Sequence, residues 1–232
     1  MKEKQHIGSL FDRIARRYDL LNHLLSFNID RRWRRRAVAR LEALPPEGRL
    51  LDVATGTADL ALEIVRQKKA AQVLGIDLSG EMTAIGREKI RKAGLQEAIV
   101  LQQGSALELP FPSDSFEAVT CAYGVRNFSD LDQGLREMQR VLRPGGQLLV
   151  LEFSYPDNRL VAWAYDLYFS HIMPLVGRLV SRDRSAYTYL NKSVKQFVWG
   201  KDLTDRLQQA GFRDPAFKTL SYGITTVYSA RK

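Results

Sequence analysis

A single cysteine, Cys121, stands among 232 residues. No disulfide can close within the chain, and a reducing compartment is expected. No apolar run approaches the roughly 18 residues that a membrane-spanning helix needs. The first residues, Met1-Lys2-Glu3-Lys4-Gln5-His6, lead into no apolar stretch of the secretory kind, so a cytoplasmic protein is expected. Glycine is scarce where a dinucleotide site would demand it. The loop Ala54-Thr55-Gly56-Thr57-Ala58 has one glycine, and the missing ones are those that let backbone approach a pyrophosphate.

What is present suits a folded core. Hydrophobic residues make up 45% of the chain and charged residues 26%, a globular balance rather than a disordered one. The net charge of +9 is unevenly spread, with +7 in residues 1–40, −4 in 41–153 and +6 in 154–232. Basic flanks around a mildly acidic middle point to an anionic surface, a membrane or a nucleic acid, with a plain cationic solvent face as the other reading.

The middle is organised around Leu50-Leu51-Asp52-Val53-Ala54-Thr55-Gly56-Thr57-Ala58-Asp59-Leu60. An apolar run carrying an acid turns at small residues and enters a helical pattern. A second apolar run ends in Asp77, the position from which an acid accepts ribose hydroxyls. A ribose grip without a phosphate cradle fits S-adenosylmethionine. Asp52 is expected to orient the ammonium of its amino acid tail through water, or else to bond the turn.

Further runs alternate. Strands are expected at 49–54, 72–77, 98–103, 116–122 and 147–153, with helices near 58–67, 80–93 (capped by Ser79) and 130–142. That alternation implies a parallel sheet with right-handed crossovers and a ligand beyond the strands' carboxyl ends. A helix at 201–210 and strands at 214–220 and 223–230 close the chain, the last pair adding antiparallel edge strands. Before the core, Ile7, Leu10, Phe11, Ile14, Tyr18 and Leu21 recur at helical spacing. Asn28 is expected to turn left-handed, and Asp30 to cap a helix whose Trp33, Ala37, Leu41 and Leu44 face inward. The arginines at 31, 32, 34, 35 and 36 then spread around the other sides, as a phosphate-binding cluster or a solvated face. Residues 155–200 are rich in aromatic and basic side chains and read as inserted helices above the site. The whole is expected to be one α/β domain: a helical lid (1–44), a cofactor core (45–153), a substrate cap (154–200) and a closing helix with edge strands (201–232).

Three stretches carry a resemblance. They are Tyr18-Asp19-Leu20-Leu21-Asn22 through Ser26 to Trp33, Ala106–Pro112 followed by Tyr123-Gly124-Val125-Arg126-Asn127, and Arg140–Ser154. With them the chain resembles the quinone C-methyltransferases of menaquinone and ubiquinone biosynthesis. The resemblance implies the seven-stranded, mostly parallel, Rossmann-like fold of the S-adenosylmethionine-dependent methyltransferases. It implies cofactor contacts at Thr57, Asp77, Ser105, Ala106 and Ala122, beside which Gly56 of the loop and Tyr123 at the strand end are expected to join the cofactor site, and acceptor contacts at Tyr18, Asp19 and Asn22. Two positions depart from the family. Asn28 replaces a glycine but keeps the left-handed option. Ala58 replaces the last glycine of the loop, which would bring a Cβ near the cofactor.

The acceptor so implied is a prenylated quinol, demethylmenaquinol ahead of a benzoquinol. A sulfonium methyl needs an in-line nucleophile and no metal, so positioning does most of the work. The ring carbon beside a quinol hydroxyl is electron-rich enough to attack, whereas an oxidised quinone is not. The motif assigns Arg126 to stabilise the quinolate and hold a water, with Asn127 orienting it. The bland alternative for Arg126 is an ion pair with Asp130. Neither an Asn-Pro-Pro-Tyr motif nor a Pro-Cys loop occurs, so nucleic acid is not the expected substrate. Peripheral contact with an anionic membrane is expected, and a homodimer stays open, as does an inactive cofactor-binding or membrane-adaptor protein.

Overall fold

Apolar runs bounded by glycine, proline and acids become strands here, and the central stretches 50–53, 118–121 and 148–152 bury both faces. The computed structural model describes residues 26–156, 158–168 and 193–232, with Phe11, Asp12, Ala15, Asp19, Asn22 and His23. In chain order its elements are α1 (Ile29–Val38), β1 (Arg49–Val53), α2 (Asp59–Arg66), β2 (Gln72–Asp77), α3 (Gly80–Lys92), β3 (Ile99–Gln103) and β4 (Phe116–Ala122). Then follow α4 (Leu131–Val141), β5 (Leu142–Phe153), α5 (Arg159–Leu167), α6 (Lys201–Gln209), β6 (Arg213–Leu220) and β7 (Thr225–Arg231). The strands form one sheet in the order β3-β2-β1-β4-β5-β7-β6. β1 to β5 pair in parallel, and β7 runs antiparallel to both β5 and β6.

Period-two alternation sends neighbouring residues to opposite faces. Leu51, Val53 and Val150 join Leu135 and Met138 of α4 and Leu203 and Leu207 of α6 in one core. Leu50, Val73 and Leu149 join Trp33 and Ala37 of α1, Ile64 of α2 and Ile90 of α3 in the other. Two helical layers therefore enclose the sheet, as the alternating pattern implies. Trp33 anchors α1 by standing edge-on to Phe153, ring centres 6.2 Å apart, and donating through Nε1 to Ser221 Oγ at 2.8 Å. Ser79 caps α3 by accepting from Met82 N, and Asp130 caps α4 by accepting from Gln133 N.

Several expectations are corrected. Asp30 does not cap α1. The N-cap is Asn28, left-handed at φ 60°. Asp30 lies within the first turn, accepting from Ser26 Oγ and Arg34 Nη2, with His23 Nδ1 at 2.7 Å. Burial works against its charge, but the Ser26 hydroxyl, Arg34 and His23 hold its pKa below the ordinary value. Arg34 is therefore buried rather than solvated. β5 begins at Leu142 rather than 147, because Pro144-Gly145-Gly146 bulges within the strand. Phe116 pairs with Leu142, and Ala118 already with Gln147. Of the proposed N-terminal helix, Phe11, Asp12, Ala15 and Asp19 are helical, while Ile7, Leu10, Ile14, Tyr18 and Leu21 lie outside the described residues. Of the insert, Arg159–Leu167 is helical, and Tyr187 and Tyr189 lie outside. Among the described residues no helix is long and apolar enough to cross a membrane.

A β-carbon added at Gly124 would sit 2.6 Å from Ala54 Cβ and 2.7 Å from Cys121 Sγ, inside van der Waals contact on two rigid groups. Gly124→Ala is expected to cost about 1–3 kcal/mol through overpacking. Thermal denaturation should show a melting temperature lower by roughly 2–4 °C per kcal/mol for a chain of this size.

Candidate active site

The site grows from the carboxyl end of β1. Strand order reverses between β1 and β4, and a crevice opens at such a reversal. The chain leaves β1 through three left-handed residues in five positions, Ala54 (φ 54°), Gly56 (φ 55°) and Ala58 (φ 67°). Only glycine takes that conformation without strain, so the two alanines cost about 1–2 kcal/mol each. Surrounding contacts must hold them there.

The strongest of those contacts is Asp77. Its Oδ2 accepts from Gly56 N at 2.8 Å and its Oδ1 from Ser79 N at 2.8 Å. Burial raises its pKa, with Asp12 adding to the rise, and the Ser79, Gly56 and Leu78 amides pull back against it. Each oxygen keeps a second lone pair, so the carboxylate can accept two further hydroxyl hydrogen bonds in a fixed orientation.

Beside it lies an open cleft. Gly56, Asp77, Ser105, Ala106, Ala122, Tyr123 and Asn127 all line it, so the structure brings together most of the residues singled out in the sequence. Phe11, Ile76, Met82, Leu107 and Phe128 supply apolar walls. A β-carbon at Gly56 would meet nothing within 4 Å, which leaves open space above the loop. An oriented acid, a bare loop and flat apolar walls fit an adenosine-bearing sulfonium. Asp77 would hold the ribose, Ser105 and Ala106 the adenine edge, and Ala122 and Tyr123 would flank the methionine moiety.

Other predicted residues are placed elsewhere. Asp52 is fully buried below the loop, accepting from Thr55 Oγ1 at 2.6 Å and Thr120 Oγ1 at 2.7 Å. It bonds the turn, and does not line the cleft. The Thr57 hydroxyl is turned away, donating to Asp19 Oδ1 at 2.6 Å. Asp19 and Asn22 stand outside the cleft wall, and Tyr18 lies outside the described residues. The methyl of Ala58 faces α3 at Gly86, where an added β-carbon would come within 3.4 Å of it. It does not approach the cleft, which corrects the expected Cβ near the cofactor.

Arg126 stands behind the cleft wall. Its Nη1 donates to Glu152 Oε1 and to the Tyr123 carbonyl, both at 2.6 Å, and its guanidinium lies 5.2 Å over the Phe153 ring. Its partner is thus Glu152 and not Asp130. Glu152 is fully buried, and burial pushes its pKa up against the pull of Arg126. Asn127, on the short 3-10 turn Val125–Asn127, lines the cleft and donates through Nδ2 to the Tyr123 carbonyl at 3.3 Å. Sequence reasoning missed Glu152, though a lone acid ending the run Leu149-Val150-Leu151 signals a buried charge in need of a partner. It also missed the cleft-lining role of Ser79 and Phe128, for which no local signal exists.

Burial raises the Asp52 pKa from 3.8 to about 6, with Asp77 adding to the rise and the two threonine hydroxyls opposing it. The native state then binds more protons than the unfolded state between these values, so this group's contribution is full below the unfolded pKa. It is lost as pH rises through about 6. Stability of the wild type relative to Asp52→Asn should fall by about 2 kcal/mol between pH 4 and pH 7, most of the roughly 3 kcal/mol that the whole shift carries. Denaturant titrations of both chains across that range check it, and parallel pH profiles would contradict it.

A profile of the ubiE/COQ5 methyltransferase family matches residues 1–232. The demethylmenaquinone methyltransferase of Bacteroides fragilis is 41% identical over 231 residues, covering 100% of this chain and 94% of the relative. The ubiquinone/menaquinone biosynthesis C-methyltransferase UbiE of Syntrophotalea carbinolica is 47% identical over 225 residues, covering 97% and 93%. A solved S-adenosylmethionine-dependent methyltransferase from Thermotoga maritima, described as a possible histamine N-methyltransferase, aligns at TM-score 0.66 with 20% identity, covering 98% of this chain and 100% of its own. That likeness speaks for the fold alone. With its whole length matched, the chain belongs to the ubiE/COQ5 methyltransferase family and is an S-adenosylmethionine-dependent C-methyltransferase.

Proposed function

We propose that the chain methylates a ring carbon of a prenylated quinol, demethylmenaquinol in the first place. The observation that carries this is the cleft itself. An oriented Asp77 and an apolar wall meet at the strand reversal, in a chain aligned end to end with a demethylmenaquinone methyltransferase. A benzoquinol acceptor is the second reading, favoured by relatives whose name joins ubiquinone to menaquinone.

S-adenosylmethionine supplies the electrophilic methyl. The chain's own residues do the rest by position. Asp77 fixes the ribose and so the distance of the methyl from the acceptor. Asn127 lines the cleft, and its Oδ1 accepts from the acceptor hydroxyl, pushing electron density onto the adjacent ring carbon. That carbon bonds the methyl as the sulfonium C–S bond breaks to leave S-adenosylhomocysteine, and the ring proton then passes to water. Arg126 is neutralised locally by Glu152, so its role is to hold the turn through the Tyr123 carbonyl and keep Asn127 in place. No metal enters this scheme. Access for a greasy substrate is through peripheral contact with an anionic membrane from the cytoplasmic side. Arg31, Arg32 and Arg35 are exposed near Phe27, which is 74% exposed, and α5 exposes Leu160 and Trp163. Arginine beside exposed apolar side chains suits lipid headgroups.

The test is transfer of a labelled methyl from S-adenosylmethionine to demethylmenaquinone carried in vesicles, with and without chemical reductant. Label should enter the lipid extract only with reductant, and faster on anionic than on neutral vesicles. Asn127→Ala should lower turnover about 10²-fold, the scale of losing one oriented hydrogen bond at a developing charge, with cofactor affinity within about twofold. Transfer without reductant would contradict the quinol mechanism. Equal losses in turnover and cofactor affinity would remove Asn127 from the chemistry. A chain that binds cofactor but transfers nothing to naphthoquinol or benzoquinol would be an inactive relative.

A further inference from the structure

Outside the cleft, one ammonium gathers three parts of the chain. Lys89, on the third turn of α3, donates from Nζ to Asp19 Oδ2 at 2.9 Å, to Thr57 Oγ1 at 3.1 Å and to Asp59 Oδ1. Three acceptors match the three protons of an ammonium. Thr57 Oγ1 completes the ring by donating to Asp19 Oδ1. Asp59 is shared outward, its Oδ2 lying 3.0 Å from Arg34 Nη2, and Arg34 in turn holds Asp30. The partners come from the N-terminal segment (Asp19), the left-handed loop (Thr57) and the first turn of α2 (Asp59).

This arrangement sits where the loop needs it. Ala54, Gly56 and Ala58 are left-handed, and strained backbone persists only where its surroundings fix it. Asp77 fixes the loop from the cleft side through Gly56 N. Lys89 fixes it from the far side through Thr57 and Asp59. The same ammonium seats Asp19, and the segment carrying Asp19 also places Phe11 in the cleft wall and Asp12 on the Ser79 hydroxyl.

We propose that Lys89 is a positioning residue for cofactor binding, clasping the loop 54–58 and the N-terminal segment into one unit that holds the cleft in its binding shape. The inference rests on reading that cleft as the S-adenosylmethionine site. The clasp touches no reacting atom. It acts through the loop, so its loss falls on binding rather than on the chemical step.

The test is calorimetric binding of S-adenosylhomocysteine to the full chain, with steady-state methyl transfer alongside. Lys89→Met should weaken binding by about tenfold or more, the scale of charge-assisted hydrogen bonds lost. KM for the cofactor should rise in step while kcat at saturation stays within about twofold. Lys89→Arg, which keeps the charge and the donors, should restore affinity to within about threefold of the wild type. Asp19→Asn should weaken binding in the same direction. The double variant should be no weaker than Lys89→Met beyond about threefold, because both remove one interaction. Unchanged affinity in Lys89→Met, a loss that arginine does not restore, or losses that multiply would each overturn the proposal. Should Lys89→Met fail to fold, Asp19→Asn decides alone, since it leaves Asp59 on Lys89. Absence of binding by the wild type would overturn the cofactor reading itself, and the clasp with it.

Discussion

The Asp77 carboxylate is the constraint on which the site depends. It ties the loop after β1 to the loop after β2, through Gly56 N on one oxygen and Ser79 N on the other. Without those amides a carboxylate this buried would be driven toward its neutral form. With them it stays oriented and half-satisfied, which is the state a ribose diol can complete. Glycine at 56 takes its φ of +55° without the strain that Ala54 and Ala58 carry, and leaves open space above it.

Around that centre the sheet distributes its polar groups by depth. Asp52 lies beneath the loop with both oxygens taken by threonine hydroxyls. Glu152 lies one strand beyond β4 and is taken by Arg126. Each acid is buried at a strand's carboxyl end and each has a different partner, so only Asp77 faces the cleft. The same accounting reassigns Arg126. A guanidinium bonded to a buried carboxylate and a carbonyl is a brace for the 3-10 turn that presents Asn127, and it is stacked on Phe153 besides. Tyr123 closes the arrangement, itself left-handed at φ 57° and packed 4.5 Å from Phe153.

Much of this was legible in the residues. Strand ends fell within a residue or two because apolar runs here are bounded by Asp77, Gly104 and Phe153. Caps at Ser79 and Asp130 could be read from local spacing. What could not be read depends on partners far apart in the chain. Asp30 looks like a cap, yet it serves Ser26 and Arg34, because Asn28 had already turned the chain. Arg34 looks like one solvated arginine among five, and is buried because Asp59 meets it across twenty-five residues. Lys89 looks like any basic residue near a helix end. The β5 boundary was missed because Pro144-Gly145-Gly146 reads as a turn, and here it bulges inside a strand. The cleft residues on loops were legible mainly through the family motif, since loop positions carry no periodicity of their own.

The central claim is that Asp77 grips the ribose of S-adenosylmethionine in this cleft. The direct measurement is calorimetric binding of S-adenosylhomocysteine and of its 2′,3′-dideoxy analogue to the wild type and to Asp77→Asn. The wild type should bind the dideoxy analogue about a hundredfold more weakly, the scale of two hydrogen bonds to a charged acceptor. Asp77→Asn should close most of that gap by weakening the parent compound alone. Equal affinity of the wild type for both compounds would contradict the account.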